Sequence, residues 1–128
     1  MTILLDTCTL IWLTQEPERL SGKSKTLIES PENELIVSHA SVWEMLLKSH
    51  AGKLSFPVPL RKWLRDQQSI WGFRYLNIAL EHLLRTEEIE RHHGDPFDRL
   101  LITQAIVENL GILTPDPWIA RYPVQVLW

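Results

Sequence analysis

The sequence predicts an α/β protein, a mostly parallel sheet of about five strands with helices on both faces. Short apolar runs alternate with longer helical stretches, the pattern that parallel strands joined by crossover helices produce. Acidic residues stand just past several of those runs, where a strand hands over to the next helix. No repeat, low-complexity segment or linker interrupts the alternation.

The elements follow in order. Thr2–Leu5 is a short apolar run closed by Asp6. A helical stretch rich in Leu, Ile and Trp spans Thr9 to Thr14, and Pro17 ends it. Ser21 to Ser30 reads as an amphipathic helix with lysines outward and Leu27 and Ile28 inward. Pro31-Glu32-Asn33 is a turn before a second buried strand, Leu35–Val37. Ser41 to Ser49 is a helix that stops near Gly52, with Ser38 an alternative start. Pro57 and Pro59 lead into a helix reaching about Gln68. Tyr75–Ile78 is a weaker third strand, and Ala79–Arg91 a helix. Pro96–Asn109 is the clearest helix, since Phe97, Leu100, Leu101, Ala105 and Ile106 recur at helical steps. Gly111 is read as its C-terminal break, before strands at Ile112–Leu113 and Val124–Leu127.

With 128 residues the chain is long enough for one domain with a real core and too short for two. No apolar run reaches the ~20 residues of a membrane span. The opening MTILLD has no basic segment, so no signal peptide is expected and a cytoplasmic location is the default. The one cysteine, Cys8, excludes an intrachain disulfide and a Cys-based zinc site. A net charge of −3 argues against a non-specific nucleic-acid binder but not against an enzyme acting on nucleic acid. The basic clusters Lys23/Lys25 and Arg61/Lys62/Arg65 read as solvated faces.

Four acids are the candidate chemistry: Asp6, Glu44, Asp98 and Asp116. Each also has a purely structural reading. Asp6 and Asp116 suit helix N-caps, the latter with Pro117 at the first helical position. Glu44 completes a Ser41-x-x-Glu44 capping box, unless the helix begins at Ser38, which would free Glu44 to face a pocket. Asp95 before Pro96 is an N-cap pattern, and Asp98 sits one turn further in, where the helix dipole favours negative charge. In an open parallel sheet, however, strand ends and following helix starts share one edge, and ligands bind where strand order reverses. Like charges a few Å apart repel by a few kcal/mol. Four acids gathered there, with Thr7, Ser38 and Thr114 beside them, are therefore more economically a hard-cation site, for which magnesium's preference for oxygen ligands is suited.

The stretches ILLDTCTLIWL, VSHASVWEMLLKSHAGKL, HHGDPFDRLLITQA and ILTPDPWIARYPVQVLW resemble the PIN domain, and more narrowly the VapC-type toxins of bacterial toxin–antitoxin pairs. The resemblance covers essentially the whole chain, and HGDPFDRLLITQA is its most specific piece. It implies a three-layer α/β/α sandwich and an Mg²⁺-dependent endoribonuclease, with Mn²⁺ the alternative ion, acting on structured RNA of the tRNA or rRNA class. The family's four acids match Asp6, Glu44, Asp98 and Asp116, with Asp95 an extra acid and Thr114 at a small hydroxyl position. Pro115 and Pro117, flanking the fourth acid, depart from the pattern and stiffen that loop. The implied partners are RNA, a second copy of the chain, and a small antitoxin whose tail brings a basic residue to the acidic edge. In this reading Asp6, Asp98 and Asp116 hold the ion, and Glu44 orients the attacking water or acts as base. Arg99 and Lys48 either contact flanking phosphates or are solvated charges. His92 and His93 suit a helix C-terminus. Trp63, Trp71 and Trp118 are candidates for a partner surface or for core packing.

Other α/β chemistries lack their residues. A haloacid dehalogenase-type phosphatase needs Asp-x-Asp, but Cys8 stands two past Asp6. A receiver domain needs an acid after the third strand, where Asn77-Ile78-Ala79 offers none, and a Gly-x-Gly-x-x-Gly loop is absent. The remaining alternative is a catalytically silent PIN-like interaction module.

Overall fold

The computed structural model describes residues 1–128. Its strands are β1 (Thr2–Leu5), β2 (Glu34–Ser38), β3 (Arg74–Leu76), β4 (Gly111–Leu113) and β5 (Gln125–Leu127). Its helices are α1 (Thr7–Gln15), α2 (Gly22–Glu29), α3 (His39–His50), α4 (Leu60–Trp71), α5 (Leu80–Arg85) and α6 (Pro96–Glu108). All strand pairs are parallel, in the order β3-β2-β1-β4-β5. The chain builds outward from β1 to β3 on one side, then returns to lay β4 and β5 on the other. Strand order therefore reverses between β1 and β4, where a parallel sheet opens a crevice at its carboxyl edge.

Side-chain alternation gives the sheet two dry faces. Leu5, Val37 and Leu113 stand in register and pack with Leu10 and Leu13 of α1, Ile28 of α2 and Trp63 of α4. Leu4, Ile36 and Ile112 point the other way, onto Leu101, Ile102 and Ala105 of α6 and the ring of Tyr122. The result is the expected three layers. No helix is long and apolar enough to cross a membrane.

Three local expectations need correction. The capping box at Ser41 does not form. Ser38 is the N-cap of α3, its hydroxyl oxygen accepting the Ala40 N–H at 2.9 Å, and the same hydroxyl donates to Gln104 of α6. Gly111 is not the break after α6. Asn109 turns the chain at φ 55, while Gly111 is a strand residue whose missing side chain makes room for Leu127, 3.0 Å from where a Cβ would stand. The helix expected over Ala79–Arg91 stops at Arg85. Its continuation is drawn off the helical path because the Arg99 guanidinium donates to the carbonyls of Thr86 (2.7 Å) and Glu90 (3.1 Å). His92 and His93 consequently do not close a helix. They lie in the loop before α6, against Tyr122.

Candidate active site

Asp6 follows the central strand and is buried, 4% exposed. One carboxylate oxygen caps α1 by accepting the Thr9 N–H at 2.7 Å, and the other accepts the Thr114 hydroxyl at 2.5 Å. The capping role and the pocket position thus belong to the same residue. Thr114 follows β4, and its oxygen also accepts the Asp116 N–H at 3.1 Å, so one hydroxyl links the two strand ends that flank the switch point. Thr9 adds a bond to the Leu113 carbonyl, and the Thr7 hydroxyl donates to Ser41 Oγ at 2.9 Å, joining α1 to α3. Burial pushes the Asp6 carboxyl up, partly opposed by the Thr114 and Thr9 bonds and aided by the charge of Asp116.

Because α3 starts at Ser38, Glu44 falls in its second turn and turns inward, 5% exposed. Its Oε2 pairs with Lys48 Nζ at 2.7 Å, while its Oε1 is buried with no partner. The bond to Glu44 raises the Lys48 pKa, so the ammonium stays charged at the pocket mouth. An orphaned carboxylate oxygen costs free energy unless something polar fills the space before it.

Asp95 caps α6, its Oδ1 accepting the N–H groups of Phe97 (2.9 Å) and Asp98 (3.2 Å). Asp98 is thereby placed at the third helical position, facing inward. Burial first, then the charges of Asp95, Asp6, Glu44 and Asp116, push its carboxyl up to about 7. Asp116 holds its loop by accepting the Trp118 N–H at 2.9 Å.

All five acids, with Thr7, Cys8 and Lys48, line one cavity of about 370 Å³. Two of its acids, Asp98 and Asp116, come together with His93 beside the cavity, with one ligand atom of each residue within 4.8 Å of the others. Asp6 borders the cavity but falls outside that tightest group. The donor set fits a hard divalent cation: carboxylate oxygens from separate elements, one of them buried without a partner, and an acid whose carboxyl is pushed up by burial and by the acids around it. Burial pushes the Cys8 thiol up to about 12, so in the metal-free chain it is a neutral thiol.

Arg99 does not line this cavity, its guanidinium being engaged by the loop carbonyls and the Tyr122 hydroxyl. Trp63 is buried against Phe56, Trp71 is half-buried, and Trp118 is exposed beneath the Arg121 guanidinium. Sequence reasoning passed over Trp43 and gave His93 only a place at a helix end. Trp43 is 55% exposed on α3. His93 stands beside Asp98, a proximity that depends on Tyr122, which lies 29 residues further along the chain and holds the ring by a 3.1 Å contact.

The class defined here is an α/β protein that gathers five acids at the switch point of an open parallel sheet. Residues 3–124 match the PIN domain, and the chain belongs to that family. It is 29% identical over 116 residues to Ribonuclease VapC22 of Mycobacterium tuberculosis, covering 90% of this chain and 87% of that protein. Its fold is similar to VapBC2 from Rickettsia felis bound to a DNA fragment from their promoter, with a TM-score of 0.74, 16% identity, and coverage of 99% of this chain and 98% of that one. DNA-bound VapBC from Salmonella typhimurium gives a TM-score of 0.69 at 16% identity, over 99% of this chain and 97% of that one.

Proposed function

We propose that the chain is the ribonuclease toxin of a type II toxin–antitoxin pair, an endoribonuclease that uses Mg²⁺, or Mn²⁺ in its place, on structured RNA of the tRNA or rRNA class. The observation that carries this reading is the single cavity shared by Asp6, Glu44, Asp98 and Asp116, one of whose acids, Glu44, has a buried oxygen with no hydrogen-bond partner. The VapC relative and the VapBC neighbours support the same reading.

Asp98 and Asp116 are the principal ligands, their oxygens lying closest together, and Asp6 completes the set from the cavity wall. The bound cation supplies Lewis acidity toward water and the scissile phosphate. Glu44 would orient the attacking water, while Lys48 pairs with its Oε2 and places a positive charge where a neighbouring phosphate would lie. Thr114 holds Asp6 and the Asp116 loop at a fixed separation. In-line attack by water would form a new P–O bond and break the bond to the 3′-oxygen of the preceding nucleotide, which takes a proton from solvent and leaves as a hydroxyl.

Two partners fit the apolar surface. A second copy would cover Leu80, Leu83 and Leu84 of α5, each about half exposed or more. The antitoxin would lie in the groove of Val42, Leu46, Leu60 and Leu64 between α3 and α4, and reach the acidic cavity with a basic side chain.

The test is cleavage of total cellular RNA by the purified protein, with the ends mapped. Cleavage should require Mg²⁺, cease with chelator, and fall at least about 100-fold in Asp98→Asn, since removal of a ligand acid removes transition-state stabilisation. A folded protein that cuts nothing with either ion would instead be the silent interaction module.

A further inference from the structure

Besides the Glu44 oxygen, one other buried polar side-chain atom lacks a hydrogen-bond partner: Nε2 of His93. We propose that His93 is a positioning residue, fixed by Tyr122 as the Nε2–H tautomer, whose N–H steadies the Asp98 carboxylate and does not itself ligate the cation. The inference deepens the metal-nuclease reading and rests on it.

The assignment comes from counting donors and acceptors. A tyrosine hydroxyl has one proton to give and two lone pairs. The Tyr122 oxygen lies 3.1 Å from the His92 N–H and 3.3 Å from Arg99 Nη1, and both of these can only donate. Its own proton is left for the third neighbour, Nδ1 of His93, at 3.1 Å. A neutral imidazole that accepts at Nδ1 carries its hydrogen at Nε2. The buried Nε2 is therefore a donor, and the carboxylate it faces is Asp98, with Oδ2 at 3.5 Å. That separation is longer than a good hydrogen bond, so what links the two groups in this structure is the attraction of an N–H dipole for a neighbouring carboxylate. Charge favours the same tautomer, because a ring lone pair aimed at two carboxylates is repelled whereas an N–H is attracted. Tyr122 is 4% exposed and packs edge-on against the His92 ring at 4.8 Å, so the network is held inside the fold. Proximity alone would make His93 a third ligand beside Asp98 and Asp116. The bonding around Tyr122 argues against that.

Outer partners of ligating side chains change metal affinity about 10–100-fold when removed. The ring protons of the full-length chain, labelled with ¹⁵N-histidine, are read by long-range ¹H–¹⁵N NMR, and Mn²⁺ binding by EPR titration. His93 should be protonated at Nε2, and Tyr122→Phe should erase that preference. His93→Ala should weaken Mn²⁺ binding about 10–100-fold, and His93→Gln, whose amide N–H reaches the place of Nε2, should restore most of it. A proton on Nδ1, a directly coordinated ¹⁴N in the pulsed EPR spectrum of bound Mn²⁺, or unchanged affinity in His93→Ala would each overturn the positioning role and leave the metal site standing. Failure of the wild-type chain to bind Mn²⁺ would overturn the metal reading itself.

Discussion

At Asp98 a carboxyl is held at the start of a helix, which favours its charge, and inside a cluster of acids, which opposes it. Burial and the four neighbouring acids prevail, pushing it up to about 7. The consequence for stability has a definite sign. A carboxyl that binds its proton more tightly folded than unfolded loses stability as pH rises from the unfolded value to the folded one. For Asp98 that window runs from 3.8 to about 7, and Asp6, also raised, acts in the same direction. The metal-free chain should therefore melt at lower temperature at pH 8 than at pH 5. Asp98→Asn should remove much of that loss, on the order of 2 kcal/mol after discounting for the partly exposed side chain. Melts of both proteins across that pH range give the measurement, and an identical pH slope in the two would show that Asp98 is not under charge strain. Much at this scale was legible in the sequence. Asp6, Glu44, Asp98 and Asp116 stand out because each follows a strand or opens a helix. The charge state of Asp98 was not legible, since it depends on distances between loops that only the folded sheet sets.

For single elements, α3 shows where local pattern falls short. Ser41-x-x-Glu44 satisfies the capping-box spacing, yet the helix starts three residues earlier. The decision is tertiary. Ser38 both caps the helix and donates to Gln104, whose amide in turn donates to the Asn77 carbonyl at 3.1 Å. One residue thereby satisfies buried groups on two helices and a loop, which the alternative start does not. That choice rotates Glu44 into the cavity. Ser38→Ala should lower stability by about 1–2 kcal/mol, from the lost cap and the stranded Gln104 acceptor. It should also reduce cleavage, because Glu44 loses its fixed placement. Normal cleavage by a destabilised Ser38→Ala would show that the start of α3 is irrelevant to the site. The short α5 has the same kind of cause. After Arg85 the backbone tightens into i→i+3 turns, and Arg99, a residue of the next helix, takes the carbonyls of Thr86 and Glu90.

For the molecule as a whole, the sheet order explains why residues from sequence positions 6 to 116 meet at all. Alternating strands and helices predict the layers, and parallel pairing predicts that strand ends share an edge. The order β3-β2-β1-β4-β5, which sets β1 beside β4, was not readable from the strand residues themselves, because apolar runs such as Ile112–Leu113 and Leu35–Val37 are interchangeable as neighbours. Surface burial is similarly hidden. Leu83 and Leu84 belong to the helix expected over Ala79–Arg91, and both are about half exposed. Uncovered apolar faces are where partners dock when a protein has them, and the proposed dimer would cover this one. The wild-type chain should sediment as a dimer, and the double variant Leu83→Asp, Leu84→Asp as a monomer with an unchanged circular dichroism spectrum. A wild-type monomer would assign that face elsewhere.

The most direct measurement is anomalous diffraction at the manganese edge from crystals soaked in Mn²⁺. A single dominant peak should lie within bonding reach of Asp98 and Asp116 carboxylate oxygens and vanish in Asp98→Asn. A saturated soak with no peak in that cavity, or one undisturbed by the substitution, would contradict the metal site from which the rest follows.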